Sequence, residues 1–444
     1  MIVVSAGRPG TAIIDRVVER EPRDAQLPDV RHSIETVWRM ESAKVIAALV
    51  RIVRDVQLAE DLAQDALVAA LQQWPQSGIP ANPAAWLTAI AKRRAIDTFR
   101  RNERHDRVLT QLSRDAQLEE GSVPDLDSDL DGADRIDDDL LRLMFICCHP
   151  VLSRQAQVAL TLRLLGGLTT AEIARAFVTP EPTIGQRISR AKKTIATERV
   201  AFEEPDAVER EARLAAVLEV VYLVFNEGYS ATSGDDWMRP TLVSEAIRLG
   251  RVLAAVAPGS ASALGLLALM EIQASRGKAR TDPSGAPILL LDQDRSRWDR
   301  VLINHGLAVF ERAVELTDEP NSYVLQAGIA ACHARALRAH ETDWVRIASL
   351  YSRLSSLDPS PVVHLNRAVA ISMAYGPQAG LDIVDALVRS GTLDRYHLLP
   401  SVRGDLLAKL GRVDEARREF ERAATMTANE REQTLLRDRA AELT

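Results

Sequence analysis

The sequence predicts an all-α chain: two small helical domains, the second a helix-turn-helix, joined by an acidic linker and followed by a helical-repeat domain. Three observations carry this. Aromatic residues make up only 4% of the 444 residues and hydrophobic residues 46%, a mixture that favours helices over sheets. A capping box, a Pro-containing turn and an apolar stripe of helical period follow one another between Thr169 and Ile195. Near the C-terminus, small and large residues alternate at the spacing of a helical hairpin, from Gly404 to Ala423. The length is enough for about three domains of roughly 100 to 200 residues each. Three cysteines, Cys147, Cys148 and Cys332, fit a reducing compartment rather than a disulfide scaffold. No apolar run is long enough to span a bilayer, and residues 1–31 lack the basic start and apolar core of a secretion signal. A cytoplasmic protein with no membrane contact is expected, with residues 1–31 a possible disordered extension.

The net charge of −7 argues at first against nucleic-acid binding, which needs clustered Lys and Arg. Its distribution reverses that reading. Between Asp115 and Asp139, eleven acids stand against Arg135 alone, a local charge of −10, so the rest of the chain carries +3. From Trp86 to Arg107 seven bases face three acids, and from Thr183 to Val200 five bases face Glu198. Two basic segments thus flank an acidic linker at 109–138, which Gly121, Pro124 and Gly132 mark as a domain boundary or solvated tether. The first domain spans 32–108, the helix-turn-helix domain 139–203, and the remaining chain 206–444, after an interruption at Glu203, Glu204 and Pro205.

In the first domain Asp61, Gln64 and Asp65 fall on one helical face, beside an apolar face of Leu67, Ala70, Leu71 and Trp74. An acidic stripe of this kind suits a partner helix. Downstream, Trp86, Ile90, Ile96 and Phe99 interleave with Lys92, Arg93, Arg94, Arg100 and Arg101. Stacking surface plus charge suits single-stranded DNA, although Trp86 also suits the core of a helical bundle. In the second domain Thr169-Thr170-Ala171-Glu172 starts a helix, and Pro182 fits the first turn of the next. Ile184, Ile188, Ala191 and Ile195 form a buried stripe there, leaving Gln186, Arg187, Arg190 and Lys193 outside it. Such a helix presents Gln and Arg to base edges and Lys to phosphates. An ordinary hairpin with a solvated basic face is the alternative.

These residues carry a resemblance. Ala59 to Leu67, then Ala85-Trp86-Leu87 through Ile90 to Asp97 and on to Arg100-Arg101, resemble the first domain of extracytoplasmic-function (ECF) sigma factors of the sigma-70 family. Residues 169–196 resemble their second, and the likeness covers roughly 32 to 200. The resemblance implies that Asp61, Leu62, Gln64 and Asp65 dock on the β′ clamp helices of core RNA polymerase, with the β flap as a further contact. It implies that Trp86, Lys92, Arg93, Arg94, Asp97, Arg100 and Arg101 melt and read the −10 element. Thr183, Gln186, Arg187, Arg190, Lys192 and Lys193 would read the −35 element, and the acidic linker would run toward the RNA exit path. Leu67, Trp74 and Arg93 depart from the family pattern.

The segment 206–444 is too long for a bare ECF sigma factor. Gly404, Leu407, Gly411, Val413, Ala416, Phe420 and Ala423 have the spacing of one tetratricopeptide unit, and Ala368, Gly376 and Leu387 lie 36, 35 and 36 residues before Gly404, Gly411 and Ala423. A tetratricopeptide-like superhelical domain is expected. Val220 to Tyr229, Asp235-Asp236-Trp237 and Leu289 to Trp298 resemble the C-terminal extension of one ECF subgroup. That resemblance implies a regulatory role and intramolecular contact with the sigma domains. It leaves open whether a separate anti-sigma protein exists. Asn226, Glu227, Tyr229, Asp292 and Asp294 are the regulatory candidates, with helix capping as the plainer role. Cys147-Cys148-His149 lacks a second ligand pair at zinc-like spacing, and Met144, Phe145 and Ile146 beside it read as a buried helix. No phosphate loop, nucleophile elbow or His-Glu-x-x-His is present, so neither an enzyme nor a cofactor or metal is expected. The expected function is transcription initiation with promoter DNA and core polymerase as partners. A one-component helix-turn-helix regulator and a repeat scaffold are the alternatives.

Overall fold

The chain is described by a computed structural model for backbone residues 27–112, 133–177, 179–200, 207–230, 238–283, 286–427 and 429–443, with side chains of 27–32, 101–112, 133–138 and 207–208 excepted. Among these residues there are eighteen α-helices and no strand. α1 (Leu27–Val53), α2 (Val56–Ser77) and α3 (Pro83–Leu112) pack together as a bundle. Asp55 caps α2 by accepting from the Leu58 N–H at 2.8 Å, and Gly78 ends it at φ 80°, a conformation that suits a residue without Cβ. Trp74 is buried on α2 and meets half-buried Trp86 of α3 edge to face, ring centroids 5.2 Å apart.

The expected linker 109–138 is described only at its two ends. α3 continues to Leu112, and α4 (Ala133–Cys147) begins at Ala133, so both ends of that stretch are helical, while 113–132 lie outside the described residues. α1 likewise takes in residues 27–31 of the expected N-terminal extension, whose residues 1–26 lie outside the description. α4, α5 (Arg154–Leu164), α6 (Thr170–Ala176) and α7 (Glu181–Thr197) follow. The capping box forms as its sequence dictates: Glu172 N–H donates to Thr169 Oγ1 at 3.1 Å, and the Thr169 N–H donates to Glu172 Oε2 at 2.8 Å. Ile184, Ile188, Ala191 and Ile195 are buried on α7.

Helices then run α8 (Ala207–Tyr229), α9 (Pro240–Val256), α10 (Ala261–Ala274), α11 (Arg300–Glu315) and α12 (Ser322–Arg335). α10 is apolar all round, buried from Ala263 to Ile272, and packs against α8, α9, α11 and α12, as a central helix must. Its one charge, Glu271, is fully buried and held by Arg251 at 2.7 Å and His305 at 2.5 Å. α13 (Trp344–Leu357), α14 (Pro361–Tyr375), α15 (Pro377–Ser390), α16 (Leu398–Lys409), α17 (Val413–Met426) and α18 (Glu430–Ala441) pack chiefly on their neighbours in sequence. Gly404 lets α16 and α17 touch: a Cβ there would lie 3.0 Å from Phe420 Cε1 and 3.2 Å from the Ala416 carbonyl. One continuous apolar core joins residues from Ile34 of α1 to Ala334 of α12, while α14 to α18 rest on smaller separate cores. No described helix is long and apolar enough to cross a membrane.

Candidate nucleic-acid interface

Asp61 and Asp65 stand exposed one turn apart on α2. Gln57 Nε2 donates to Asp61 Oδ1 at 2.9 Å, and Gln64, half-buried, donates to Glu60 Oε1 at 2.8 Å. Leu62 is placed differently from its expected docking role. It is 4% exposed and packs in the core with Ala59, Ala63 and Ala66, so the surface ridge consists of its polar neighbours.

α3 turns Leu87, Ala91 and Ala95 inward at four-residue spacing. Its outer face then carries Arg93, Asp97 and Arg100 exposed and Lys92 and Arg94 half-buried. Arg94 Nη1 lies 3.1 Å from Asp65 Oδ2, which joins this basic face to the acidic ridge of α2. The Arg101 side chain lies outside the described residues.

On α7, Thr183, Gln186, Arg190 and Lys193 are exposed and Arg187 is half-buried. Thr183, Gln186, Arg187 and Arg190 border a shallow hollow of about 340 Å³ with Leu152 and Ser153. Lys192 departs from the expected −35 reading face. Four residues after Ile188 and next to Ala191, it sits on the edge of the apolar stripe and is only 9% exposed. Its ammonium donates to Glu60 Oε2, and to Gln57 Oε1 at 3.0 Å. Glu60, 4% exposed on α2, also accepts from Arg163 Nε of α5 at 2.7 Å. A buried carboxylate of the first bundle thus holds two cations of the helix-turn-helix unit. Sequence reasoning missed Glu60 and Arg163; the one local signal is an acid set beside the apolar positions Ala59, Leu62 and Ala63. A second bond between the two units joins Arg39 of α1 to Glu172 of the capping box at 2.5 Å. Burial raises the Glu172 carboxyl, but the Thr169 N–H and hydroxyl, with Arg39 and Arg175, outweigh it and hold it below the usual range.

The C-terminal helices α8 and α9 touch the helix-turn-helix unit through α4 and α5. Arg154 of α5 pairs with Glu219 of α8, and Arg248 of α9 donates to the Leu165 carbonyl. Glu227 and Arg154, Ile184 and Arg187 line a cavity of about 350 Å³ between them. The remaining regulatory candidates have local tasks. Asn226 lies half-buried in the last turn of α8, where its carbonyl accepts from the Ser230 N–H at 2.9 Å. Glu227 pairs with Arg239, both nearly buried, while the Tyr229 ring stacks on Phe225 and carries the Arg280 guanidinium 3.6 Å above its centre. Asp294 caps a short 3-10 turn by accepting from the Ser296 N–H at 2.9 Å, and Asp292 is exposed. Gly228 is required by close approach, since a Cβ would lie 2.7 Å from the Val243 nitrogen. Asp235, Asp236 and Trp237 lie outside the described residues.

Cys147 and Cys148 are buried thiols, Cys148 pushed up to about 12 by burial. Among the described residues no three His, Cys, Asp or Glu side chains gather as metal ligands would.

Comparison with known families matches this geometry piece by piece. Sigma-70 region 2 matches residues 38–105, and sigma-70 region 4 matches 142–195. A family of unknown function (DUF6596) matches 213–314. An uncharacterised protein of Rhizobium meliloti (strain 1021) is 44% identical over 399 residues, 89% of this chain and 92% of its own. A probable ECF RNA polymerase sigma factor, SigI, of Mycobacterium tuberculosis is 26% identical over 182 residues, 40% of this chain and 59% of its own. With both sigma regions matched in order on the two helical units, and a third family on the helices behind them, the chain belongs to the ECF-type sigma factors that carry a C-terminal extension.

Proposed function

We propose that the protein directs transcription initiation by joining core RNA polymerase and bringing it to promoter DNA in the cytoplasm. The observation that carries this is the Asp65–Arg94 contact, which sets an exposed acidic ridge of α2 beside an exposed basic face of α3. A plain duplex-binding regulator has no use for the ridge, and a scaffold has no use for the basic face. Asp61, Gln64 and Asp65 would meet the β′ clamp helices, with Leu62 supporting them from the core. Lys92, Arg93, Arg94, Asp97, Arg100 and Arg101 would engage the unpaired −10 strand, with half-buried Trp86 beside them as the aromatic contact. Thr183, Gln186, Arg187, Arg190 and Lys193 would read the −35 duplex and its phosphates. The protein supplies binding, and the polymerase supplies the chemistry.

In this reading the domains are 32–108 for region 2, 139–203 for region 4 and 206–444 for a tetratricopeptide-like regulatory domain. The arrangement described is a closed one. Lys192 of the DNA-reading helix is bound to Glu60, one residue from the docking ridge, so regions 2 and 4 must part before they reach two separated promoter elements. The extension, braced on α5 through Glu219 and Arg248, would tune that parting.

The test adds full-length protein to core polymerase and follows holoenzyme formation and promoter opening by footprinting and abortive initiation. Promoter-dependent initiation is expected. Absence of core binding by the wild type and by a form opened at Glu60 would leave the one-component regulator or the scaffold instead.

A further inference from the structure

Regions 2 and 4 enclose a cavity of about 850 Å³ between the α1–α2 turn, α4 and the C-terminal half of α7. Its wall carries six cations: Arg51, Arg54, Arg142, Lys192, Lys193 and Arg199. Asp55 is the single acid among the lining residues, and its carboxylate is engaged as the N-cap of α2. Asp139 accepts from Arg51 at 3.0 Å and lies 3.4 Å from Arg142, while Glu60 holds Lys192. Arg54, Lys193 and Arg199 are left with no counter-ion among the described residues.

Two of those three also share a backbone peculiarity. Arg54 at φ 52° and Arg199 at φ 48° are the non-glycine residues with left-handed backbone among the described residues, and both face this cavity. A long side chain in that conformation is uncommon, since Gly or Asn ends helices more easily. At the ends of α1 and α7 the chain keeps arginine, placing two exposed guanidiniums, one from each region, at the rim of one hollow. Strain of this kind concentrates where a site needs it.

We infer that this cavity is a binding site for a small polyphosphate, an anion carrying two or more phosphate groups, which Arg54 from region 2 and Lys193 and Arg199 from region 4 would hold together. The volume lies in the range of small-ligand sites, roughly 300 to 1,000 Å³. Guanidinium forks match phosphate oxygens in pairs. Double-stranded DNA is the less favoured occupant. The hollow lies between two units, and α7 offers duplex DNA a different face through Thr183, Gln186 and Arg190, with Lys193 alone shared between the two, serving the cavity in the closed arrangement and DNA in the open one. Because the walls come from both regions, the ligand stabilises the closed arrangement over the open one. Its effect on transcription rests on the sigma-factor reading; the binding itself does not.

The experiment titrates the full-length protein with inorganic tripolyphosphate and separately with ATP, by calorimetry at low and physiological salt, with sulfate at matched ionic strength as control. One saturable site is expected, with a raised melting temperature and little response to sulfate. Arg54→Asn with Arg199→Asn keeps the left-handed turns, because Asn tolerates them, and should weaken binding by about tenfold or more while the ligand-free melting temperature stays within a few degrees. Equal affinity for both probes identifies the phosphate chain as the ligand, and tighter binding of ATP identifies a nucleotide. Either result supports the site. No saturable binding, or binding that the double variant leaves unchanged, overturns it. So does a short duplex that displaces tripolyphosphate and loses affinity equally in the double variant. A final arm measures core polymerase binding with and without tripolyphosphate; a protein that binds the ligand but never the core keeps the site and loses the sigma reading.

Discussion

Glu60 and Lys192 share a buried ion pair between α2 of region 2 and α7 of region 4, with 5% and 9% of their side chains exposed. Removing one partner of such a pair leaves the other charge uncompensated, at about 3 to 5 kcal/mol. Glu60→Ala strands both Lys192 and Arg163. The variant should melt at a lower temperature, and dyes on α2 and α7 should move apart by energy transfer. Because it loosens the closed arrangement, which Arg39–Glu172, Arg51–Asp139 and the shared apolar core also hold, it should bind core polymerase more tightly than the wild type. Unchanged dye separation would sink the latch.

Asp61→Arg with Asp65→Arg reverses the exposed ridge without touching the core. The Asp65–Arg94 pair is solvent-exposed and worth at most about 1 kcal/mol, so the fold should survive with a nearly unchanged circular dichroism melt. Core binding should fall by about 100-fold, as like charges brought together at an interface cost several kcal/mol. Equal core affinity in a pull-down titration would contradict the docking assignment.

Thr169→Ala removes half of the capping box and should destabilise the helix-turn-helix by about 0.5 to 2 kcal/mol. The box also has a pH signature. Glu172 is held below its ordinary range in the folded state, so its contribution is present above the unfolded carboxylate pKa and is lost as pH falls through the folded value. Protection of the α6 amides, taken relative to their intrinsic exchange rates at each pH, should therefore fall in acid, and Glu172→Gln should flatten that fall.

His333 of α12 is buried against Trp344, and burial, with Arg276 and Arg295 nearby, pushes it down to about 3. The folded state keeps it neutral while the unfolded chain takes up a proton near pH 6.5. Stability of the extension should thus decline as pH falls below about 6.5, with a slope near 1.4 kcal/mol per pH unit from this group. His333→Phe should remove that slope in denaturant melts between pH 7 and 5.

Gly228 sits where α8 meets α9, with room for no further atom near Val243 and Leu242. Gly228→Ala should cost about 1 to 3 kcal/mol by overpacking, read as a lower denaturation midpoint. Gly259→Ala, with open space around its Cβ position, should change the midpoint little.

What the sequence discloses here is local. The stripe Ile184, Ile188, Ala191 and Ile195, the Thr169–Glu172 box and the Gly404–Phe420 contact each depend on residues within about one hairpin, so spacing alone finds them. Lys192 shows the limit. Its spacing from Ile188 and Ile195 sets it at the edge of the apolar stripe, where a lysine would reach out to solvent, and only a carboxylate 132 positions upstream holds its ammonium inside. Leu62 fails for the same reason in reverse, since a leucine within a docking motif gives no sign of which neighbour covers it. A run of Asp reads as a tether, yet Leu140, Leu141, Met144 and Phe145 are buried on a helix that reaches back to Ala133. Among the extension's polar candidates, Glu227 takes its meaning from Arg239, across the α8–α9 turn.

The apolar core that runs unbroken from Ile34 to Ala334 has a consequence in the order of synthesis. Helices α8 to α12 leave the ribosome after α7, later by on the order of ten seconds at about 5 to 20 residues per second. During that interval the newborn region 4 has its own stripe to fold around but nothing to lay against the side of α5 that Glu219 and Arg248 later brace. Each molecule therefore passes once, at birth, through an uncovered form that the finished chain closes over.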